Sequence, residues 1–528
     1  MLKIRLLILQ LVSITIANAQ DYPTKTIEPF YDISLTDAER DSLKGNIEGF
    51  QKEYKALHEF KMDNSVPMSL VFNPLPTGFA APRATAPLTF ILPKDVKMPA
   101  NKEDLAFFPV YKLAVLVRDK KITSVELTSL YISRIKKHSD TLQCVISLLE
   151  EDAMRKARQA DEEIAKGKYK GPLHGIPYGV KDLLAVEGTK TTWGAAPFKD
   201  QSIEKTAQVV RNLDGAGAIL ICKFTMGSLA MGDIWYGGVT KNPWNLKQGS
   251  SGSSAGSASG TSAGLVAFAI GTETLGSIVS PSTRCGVTGL RPTYGLVSTD
   301  GAMTLSWSMD KIGPICRSAY DCGIVLNAMS PVTAAPKKLK VAYLKSAFES
   351  DYPNKANDAA ALEIIRKLGY DPAPVELPAG IPITAIRIML SAEAGAAFDE
   401  LTRANIDDQL TDQRKGAWPN TFRAARFIPA VDYINASRAR KQLIEEYHKK
   451  LGDYDVIISP SFANGQLLTT NLTGHPCLVV PNGFNDQGSP TSISFLGKLY
   501  GEAALVSFAK AYQEASEWDD KIPPLFKP

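Results

Sequence analysis

A serine- and glycine-rich tract is the most unusual chemical feature of this sequence. It reads GSSGSSAGSASGTSAG from Gly249 to Gly264 and leads into the apolar segment LVAFAIGTETLGS, which ends at Ser277. Composition alone is typical of a flexible linker, yet no domain ends here. Small residues also allow backbone N–H groups to approach a substrate oxygen without interfering side chains. Ser277 follows a predicted strand and Gly276, so it is a candidate nucleophile at a turn.

Two common serine motifs occur in the chain, and neither has the context that its chemistry needs. The GxSxG pattern centred on Ser254 requires a hydrophobic strand directly before it and a histidine after it. The preceding NPWNLKQGS is polar and interrupted by proline, and only His448 and His475 follow. The SxxK pattern at Ser133 and Lys136 lacks the accompanying SDN and KTG motifs. Both matches are therefore interpreted as products of composition.

A third serine chemistry uses lysine as the base and needs no histidine. Lys181 is the candidate, since it ends the apolar run in GIPYGVKDLL. To accept a proton it must be neutral, and burial has to lower its pKa from about 10.4 toward roughly 7 to 8. The alternative is a structural lysine that extends to solvent or pairs with Asp182.

Length, composition and charge describe a large globular protein. The 528 residues are 44% hydrophobic and 22% charged, which allows an extensive core. A formal net charge of +4 over this length gives no strong basic field, so nucleic acid is not expected as a partner. Six cysteines without a CxxC pair are expected to be mostly buried, with one optional disulfide.

The first nineteen residues are typical of a secretory signal peptide. Lys3 and Arg5 precede an apolar run over residues 6–16, and Ala17-Asn18-Ala19 has the A-x-A pattern of a cleavage site. A membrane anchor is the alternative, but the run is shorter than the roughly 20 residues that span a bilayer. We expect cleavage near Ala19 and an exported protein, either periplasmic or secreted.

The remaining sequence predicts an N-terminal extension followed by one large α/β domain. A helix is expected between residues 35 and 62, then a proline-rich segment over 65–99. From residue 104, helical stretches alternate with short apolar runs, which favours an α/β/α sandwich. Its central sheet is expected to be mixed, mostly parallel and covered by helices. The predicted division is a signal peptide over 1–19, an extension over 20–103 and a domain over 104–528, with a helix-rich insertion at about 333–440 that roofs a site.

Several ordered motifs together resemble the amidase signature family. They are GIPYGVKDLL, NPWNLKQGSSGSSAGSASG and GTETLGSIVSPSTRCGVTGLRPTYGLVS, in that order along the chain. Further matching segments include ITSVELTSLYISRI, YDVIISPS, GHPCLVVPNGF and GEAALVSFAKAY. The resemblance extends from about residue 104 to the C-terminus and implies the amidase signature fold.

The resemblance implies a catalytic group made of a lysine and two serines. Lys181 matches the base, and Ser277 matches the nucleophile. Ser253, 24 positions before Ser277 and on a cis peptide bond after Gly252, matches the serine that relays the proton. Thr272 would hold Ser253 in place. The oxyanion hole would be formed by the N–H groups of Thr274, Leu275, Gly276 and Ser277, and no metal or organic cofactor would be needed.

Departures from the family pattern bear on the substrate. The family often reads GTDTGGSIR, whereas this chain has Glu273, Leu275 and Val279. Val279 replaces an arginine that grips a substrate carboxylate in some members, and Arg284 is a nearby cation that need not point inward. The pocket candidates, which lie in FTMGSLAMGDIWYGG, are Met226, Gly227 and Ser228. Core packing is the alternative role for Met226 and for Met231, Trp235 and Tyr236 of the same segment. An apolar or aromatic acyl group is expected.

These observations predict an exported amidase that hydrolyses a carboxylic amide through a Ser-cisSer-Lys triad and a serine acyl-enzyme, releasing ammonia or an amine. Two alternatives stay open: the glutaminase subunit of a tRNA-dependent amidotransferase, and a catalytically inactive secreted protein that binds an amide or peptide. The expected partner is a small-molecule amide. No stable membrane span is expected, and the protein would be a monomer or homodimer.

Overall fold

The computed structural model describes residues 24–60, 62–82 and 88–528. The predicted signal peptide lies outside these residues. The chain forms two compact units, Met1–Asp63 and Asn64–Pro528. The extension predicted over 20–103 is therefore divided, because residues from Asn64 onward belong to the larger unit. The side-chain amide of Asn64, for example, donates hydrogen bonds to the carbonyl oxygens of Thr304 and Ala397.

The smaller unit contains two helices, α1 (Thr24–Ile27) and α2 (Asp37–Glu59), among its described residues. Thr36 and Glu39 form a capping box that starts α2, each side chain accepting from the other residue's backbone N–H. The helix predicted between residues 35 and 62 is therefore confirmed.

The larger unit is rich in helices, several of which are preceded by polar capping residues. At α4, Thr123 and Glu126 form a second capping box. The helices described in this unit are α3 (Val110–Arg118), α4 (Ser124–Leu142), α5 (Glu150–Ala165), α6 (Gln208–Gly215), α7 (Ala255–Ser262), α8 (Val279–Cys285), α9 (Ala319–Met329), α10 (Lys345–Glu349), α11 (Lys355–Lys367), α12 (Ile383–Ile386), α13 (Ile388–Ala397), α14 (Asp399–Arg403), α15 (Trp418–Ala425), α16 (Ala430–Leu451), α17 (Gln466–Thr473) and α18 (Glu502–Ser516).

The strands of the larger unit build one long sheet and two small hairpins. They are β1 (Val145–Leu148), β2 (Pro177–Lys181), β3 (Ile219–Phe224), β4 (Ile234–Trp235), β5 (Gly238–Val239), β6 (Lys241–Asn242), β7 (Asn245–Gly249), β8 (Phe268–Glu273), β9 (Thr288–Arg291), β10 (Lys311–Cys316), β11 (Val341–Leu344), β12 (Ala373–Val375), β13 (Val456–Pro460), β14 (Cys477–Phe484) and β15 (Pro490–Gly497). The long sheet has the order β1-β3-β2-β8-β10-β9-β14-β15-β13-β11-β12, and the hairpins are β4-β5 and β6-β7.

The long sheet is mixed and covered by helices, as the sequence predicts. Every residue of β2, β3, β8, β9, β10, β13 and β15 is buried. Successive side chains of a strand point to opposite faces, so both faces of this sheet are covered. Parallel pairing joins β2 to β3 and β8, and β11 to β12 and β13. The other six neighbours are antiparallel, and one of these pairs, β14 with β15, is joined by a short turn.

The serine- and glycine-rich tract does not link domains, because much of it forms a helix that packs against the long sheet. Its second half is α7, in which every residue is buried. A Cβ on Gly260 would lie 2.4 Å from the Phe224 ring, and one on Gly256 would lie 2.4 Å from the Cys144 carbonyl oxygen. The tract is therefore composed of small residues because α7 packs very closely against the sheet.

The stretch predicted as a helix-rich insertion, residues 333–440, contains more than helices. It includes α10 to α15, but β11 and β12 also lie in it and form one edge of the long sheet. Part of this stretch is therefore integral to the sheet. The side chain of Trp418 in α15 donates a hydrogen bond to the carbonyl oxygen of Leu229, which directly follows the pocket candidate Ser228.

The six cysteines are all buried and unpaired. Over residues 24–60, 62–82 and 88–528, none of the helices has both the length and the hydrophobicity needed to cross a bilayer.

Candidate active site

The long sheet brings the predicted lysine and serines to one place. Lys181 is the last residue of β2, and the neighbouring parallel strand β8 carries Thr272 one residue before its end. The carboxyl ends of adjacent parallel strands lie at the same sheet edge. Ser253 and Ser254 stand directly before α7, which packs on β2, β3 and β8. These elements place the two serines over the end of β2.

Lys181 contacts three hydroxyl groups and is completely buried. Its Nζ lies 2.7 Å from Ser253 Oγ, 2.9 Å from Thr272 Oγ1 and 3.3 Å from Ser254 Oγ. The alternative role of Lys181, an ion pair with Asp182, is not formed, because the Asp182 carboxylate forms a buried ion pair with Lys223 at 3.0 Å. The amine of Lys181 is therefore surrounded by neutral groups.

Burial lowers the pKa of Lys181 to about 7. The carboxylates of Asp310 and Glu273 act in the opposite direction, but more weakly. A pKa near 7 leaves a large fraction of the amine uncharged at neutral pH, in the range that suits a general base. This is the value that a lysine base requires.

The hydroxyl of Ser254 fixes how the Lys181 amine is oriented. Ser254 Oγ accepts from the N–H of Thr272 at 3.1 Å and donates to the Thr272 carbonyl oxygen at 3.1 Å. With its own hydrogen committed, Ser254 can only accept from Lys181. A neutral amine has two hydrogens and one lone pair. If it donates to Ser254 and Thr272, its lone pair faces Ser253, the nearest of the three oxygens.

Backbone hydrogen bonds join the loop before α7, which contains Ser253, to the turn after β8, which contains Ser277. The Gly252-Ser253 peptide bond is cis, as the resemblance implies. The N–H of Gly227 donates to the Ser253 carbonyl oxygen at 3.3 Å, and the N–H of Ser254 donates to the Ser277 carbonyl oxygen at 3.2 Å. Ser277 is 8% exposed, so a small group can reach it from outside.

The turn that contains Ser277 presents unused backbone donors. The N–H groups of residues 274–277 donate to no protein acceptor among the hydrogen bonds of the described chain. Gly276 has a φ of +87°, a conformation that glycine adopts at little cost. Such free donors at a turn can bind an oxygen that acquires negative charge.

Glu273 anchors the residues that follow this turn. Its carboxylate accepts from the N–H groups of Ile278 at 2.8 Å and Val279 at 3.0 Å, and forms an ion pair with Arg291 at 2.7 Å. Asn471 donates to the same carboxylate at 2.8 Å. Burial alone would raise the pKa of Glu273, but Arg291 and these donors bring it to about 2. The charged carboxylate thus fixes the backbone on the C-terminal side of Ser277.

Some predicted residues have other contacts than expected. The Thr272 hydroxyl accepts from Lys181, and the Thr272 backbone bonds to the hydroxyl of Ser254, the residue after Ser253. Met226 is completely buried in the main hydrophobic core, as its alternative role proposed. Gly227 contacts Ser253, and the Ser228 hydroxyl is buried without a hydrogen-bond partner.

The two positions considered for carboxylate binding supply no cation to this site. Val279 is completely buried in an apolar cluster with residues of β11 and β13. Arg284 is exposed in the last turn of α8. A substrate carboxylate would therefore need another partner.

Asp310 is a site residue that the sequence reasoning missed. It accepts from the Thr274 hydroxyl at 2.6 Å and from the N–H groups of Leu305 and Ser306. Burial raises its pKa, and its charge acts on Lys181. The sequence feature that could have indicated Asp310 is its position directly before the predominantly apolar strand β10.

Within the described part of the chain, no three histidine, cysteine, aspartate or glutamate side chains are grouped closely enough to hold a metal ion. The functional groups gathered at this edge of the sheet are hydroxyls, backbone N–H groups, an amine and the carboxylates of Glu273 and Asp310.

Comparison with known proteins identifies the family to which this chain belongs. The Amidase family model matches residues 126–469. A glutamyl-tRNA(Gln) amidotransferase subunit from Marinomonas sp. (strain MWYL1) is 32% identical over 479 residues, covering 79% of this chain and 98% of that protein. The solved peptide amidase from Stenotrophomonas maltophilia is similar with a TM-score of 0.71 and 27% identity, covering 81% of this chain and all of the other. An amidase family protein from Bacillus anthracis str. Ames has a TM-score of 0.70 and 26% identity, covering 80% of this chain and 93% of the other. The chain belongs to the amidase signature family, whose enzymes act on C–N bonds.

Proposed function

We propose that the protein hydrolyses a carboxylic amide through an acyl-enzyme on Ser277. The observation that carries this proposal is the 2.7 Å contact between the Lys181 amine and Ser253 Oγ in a buried site where the lysine pKa is about 7. An uncharged amine in this position can take a proton from Ser253.

In the first half of the reaction, Ser277 Oγ attacks the amide carbonyl carbon. Its proton passes to Ser253, and the Ser253 proton passes to Lys181. The carbonyl oxygen becomes negatively charged and is stabilised by the free N–H groups of residues 274–277. When the intermediate collapses, the C–N bond breaks and the leaving nitrogen receives the proton through Ser253.

In the second half, water attacks the ester that links the acyl group to Ser277. The same amine, now neutral again, accepts the water proton through Ser253. Collapse of this second intermediate breaks the ester bond, returns the proton to Ser277 and releases a carboxylic acid. The products are this acid and ammonia or an amine.

Glutamine is a second candidate substrate, and the curated relatives favour it. The proteins that match at 29 to 32% identity over nearly their full length are named as glutamyl-tRNA(Gln) amidotransferase subunits. These relatives support the glutaminase alternative better than they support a free-standing amidase. The peptide amidase similarity supports the latter.

Two features of this chain favour the free-standing amidase. Buried Val279 and exposed Arg284 provide no cation for the carboxylate of glutamine. The signal peptide predicted over residues 1–19 is also atypical of a cytosolic translation enzyme. We propose that the mature protein is exported and acts on an uncharged amide.

A substrate panel separates the candidates. Purified protein is incubated with L-glutamine, acetamide, hexanamide, phenylacetamide and a C-terminally amidated peptide, and products are identified by mass. Hydrolysis of the neutral amides that disappears in Ser277→Ala supports the free-standing amidase. Hydrolysis of glutamine alone supports the second candidate. Absence of any turnover contradicts both and favours the inactive binding protein.

A further inference from the structure

A cavity of about 320 Å³ lies beside the lysine and serine site. Thr272, which bonds to Lys181, and Thr274, whose N–H is one of the free backbone donors of the turn, line its buried side. Its solvent side is lined by Pro67, Met68, Leu70 and Val71. These four residues belong to an N-terminal segment that none of the amidase motifs in the sequence includes. We call residues 64–75 the wall segment.

The N-terminal end of the wall segment is attached to the loop before β10. Asn64 Oδ1 accepts from the N–H of Thr304 at 2.8 Å, and its Nδ2 donates to the carbonyl oxygen of Thr304 at 3.1 Å. The indole N–H of Trp307 donates to the Val66 carbonyl oxygen at 3.2 Å. Thr304 and Trp307 also line the cavity, so these bonds tie the segment to the cavity's own rim.

The C-terminal end of the wall segment is attached to α16 and to the loop after β9. The Phe72 ring packs edge-on against Tyr294 at 5.0 Å, and the Arg440 guanidinium lies 3.5 Å from the centre of the same ring. Lys441 Nζ donates to the Leu75 carbonyl oxygen at 3.0 Å. Fixed at both ends, the segment holds its middle residues over the cavity.

Those middle residues are apolar and uncovered. Leu70 is 81% exposed and Val71 is 82% exposed, although both line the cavity. The opposite lining includes the buried side chains of Val297, Met303 and Leu305. Exposed apolar surface beside a cavity gains free energy when a ligand covers it.

The charged groups of the cavity are already paired, which favours an uncharged ligand. Its two charged lining residues are Asp310 and Lys311. The Asp310 carboxylate accepts from Thr274, Leu305 and Ser306. Lys311 donates to the Met309 carbonyl oxygen, and burial lowers its pKa well below the ordinary value. Neither group is free to bind a charged substrate.

We propose that the wall segment selects the substrate, with Leu70 and Val71 contacting an uncharged apolar group of the amide while its carbonyl lies near Thr274. This inference rests on the proposed amide hydrolysis and names its substrate class. It assigns specificity to a segment outside the family motifs.

The test compares two alanine variants with a matched control. Leu70→Ala and Val71→Ala shorten the proposed contacts, and Ile91→Ala removes a side chain that is equally exposed, at 85%, but does not line the cavity. The first readout is the kcat/KM of hexanamide divided by that of acetamide. Each covered methylene contributes about fourfold, so we expect Leu70→Ala, which uncovers about one methylene of hexanamide, to lower the ratio about fourfold and Ile91→Ala to leave it unchanged. All variants should fold, since these side chains are exposed.

A second readout separates this inference from the proposed function. Hexanamide binding is measured by calorimetry in a Ser277→Ala background, with and without Leu70→Ala. If wild type hydrolyses the amides and Leu70→Ala leaves the hexanamide-to-acetamide ratio unchanged, the proposed role of the wall segment is overturned. The proposed amide hydrolysis is then unaffected. Loss of binding in Leu70→Ala without any wild-type turnover supports the wall segment and contradicts the proposed function. The proposed role of the wall segment is also overturned if the Ser277→Ala protein does not bind hexanamide. The same holds if Ile91→Ala lowers the ratio as much as Leu70→Ala does.

Discussion

Replacing Lys181 by methionine tests whether its amine is uncharged in the folded protein. Methionine has a similar length and no proton to exchange. Burial brings the pKa of Lys181 to about 7, whereas the ordinary value is 10.5. Unfolding at neutral pH therefore takes up a proton, which favours the unfolded state. The stability that wild type has at high pH is lost as the pH falls from about 10.5 to about 7.

The size of this effect follows from the two pKa values. At pH 7 the proton uptake destabilises the wild-type fold by about 4 kcal/mol, and at pH 10 by about 1 kcal/mol. Lys181→Met removes this term together with three hydrogen bonds, each contributing about 1 kcal/mol at either pH. We expect the variant to be about 1 kcal/mol more stable than wild type at pH 7 and about 2 kcal/mol less stable at pH 10.

The measurement is urea denaturation of both proteins at pH 7 and pH 10, followed by circular dichroism. Other titrating groups are common to both proteins and cancel in the difference. Lys166→Met, at a lysine whose side chain is 69% exposed, serves as the control and should give the same difference at both pH values. If Lys181→Met also gives a pH-independent difference, the lysine is charged in the folded state and the proposed base role fails.

Three further predictions use the same site and the chain's N-terminus. The acylation rate should rise as the pH increases through about 7 and level off above it, because only the neutral Lys181 accepts a proton; a rate independent of pH from 5 to 9 would contradict this. Glu273→Gln should lower the free energy of unfolding by about 3 kcal/mol or more, since it leaves buried Arg291 without its partner. Glu363→Gln, which breaks an exposed ion pair, should cost less than about 1 kcal/mol in the same denaturation assay. Mass spectrometry of the exported protein should find a new N-terminus directly after Ala19, and an intact leader would refute the predicted cleavage.

The principal elements of the site could be predicted because local sequence determines them. Apolar runs bounded by glycine and proline predicted β2 and β8, and the structure has strands in both places. The spacing of Lys181, Ser253 and Ser277 matched an ordered set of motifs, so their order along the chain was informative. The geometry then required only that adjacent parallel strands end at one sheet edge.

The side-chain partners could not be predicted, because they depend on residues far apart in the sequence. The 2.9 Å bond between Thr272 and Lys181 depends on the pairing of β8 with β2. Asp310, which directly precedes β10, accepts a hydrogen bond from the Thr274 hydroxyl 36 positions earlier in the chain. Similarly, nothing local indicates that Asn64 bonds to Thr304 and divides the predicted extension.

The antiparallel direction of several strands in the long sheet also could not be predicted from the local sequence pattern. Strands β9, β10, β14 and β15 are buried on both faces, as parallel strands usually are. Helices cover strands of either direction here, so burial alone does not reveal strand direction. Direction is decided by the connections, which sequence pattern describes poorly.

The most direct test of the proposed mechanism is to locate a covalent label on the nucleophile. A fluorophosphonate reacts with an activated serine and mimics acylation, and peptide mass mapping identifies the modified residue. We predict one label, on Ser277, that is absent from Ser277→Ala and strongly slowed in Lys181→Met. Equal labelling of wild type and Ser277→Ala would show that another group is the nucleophile and would contradict the proposed mechanism.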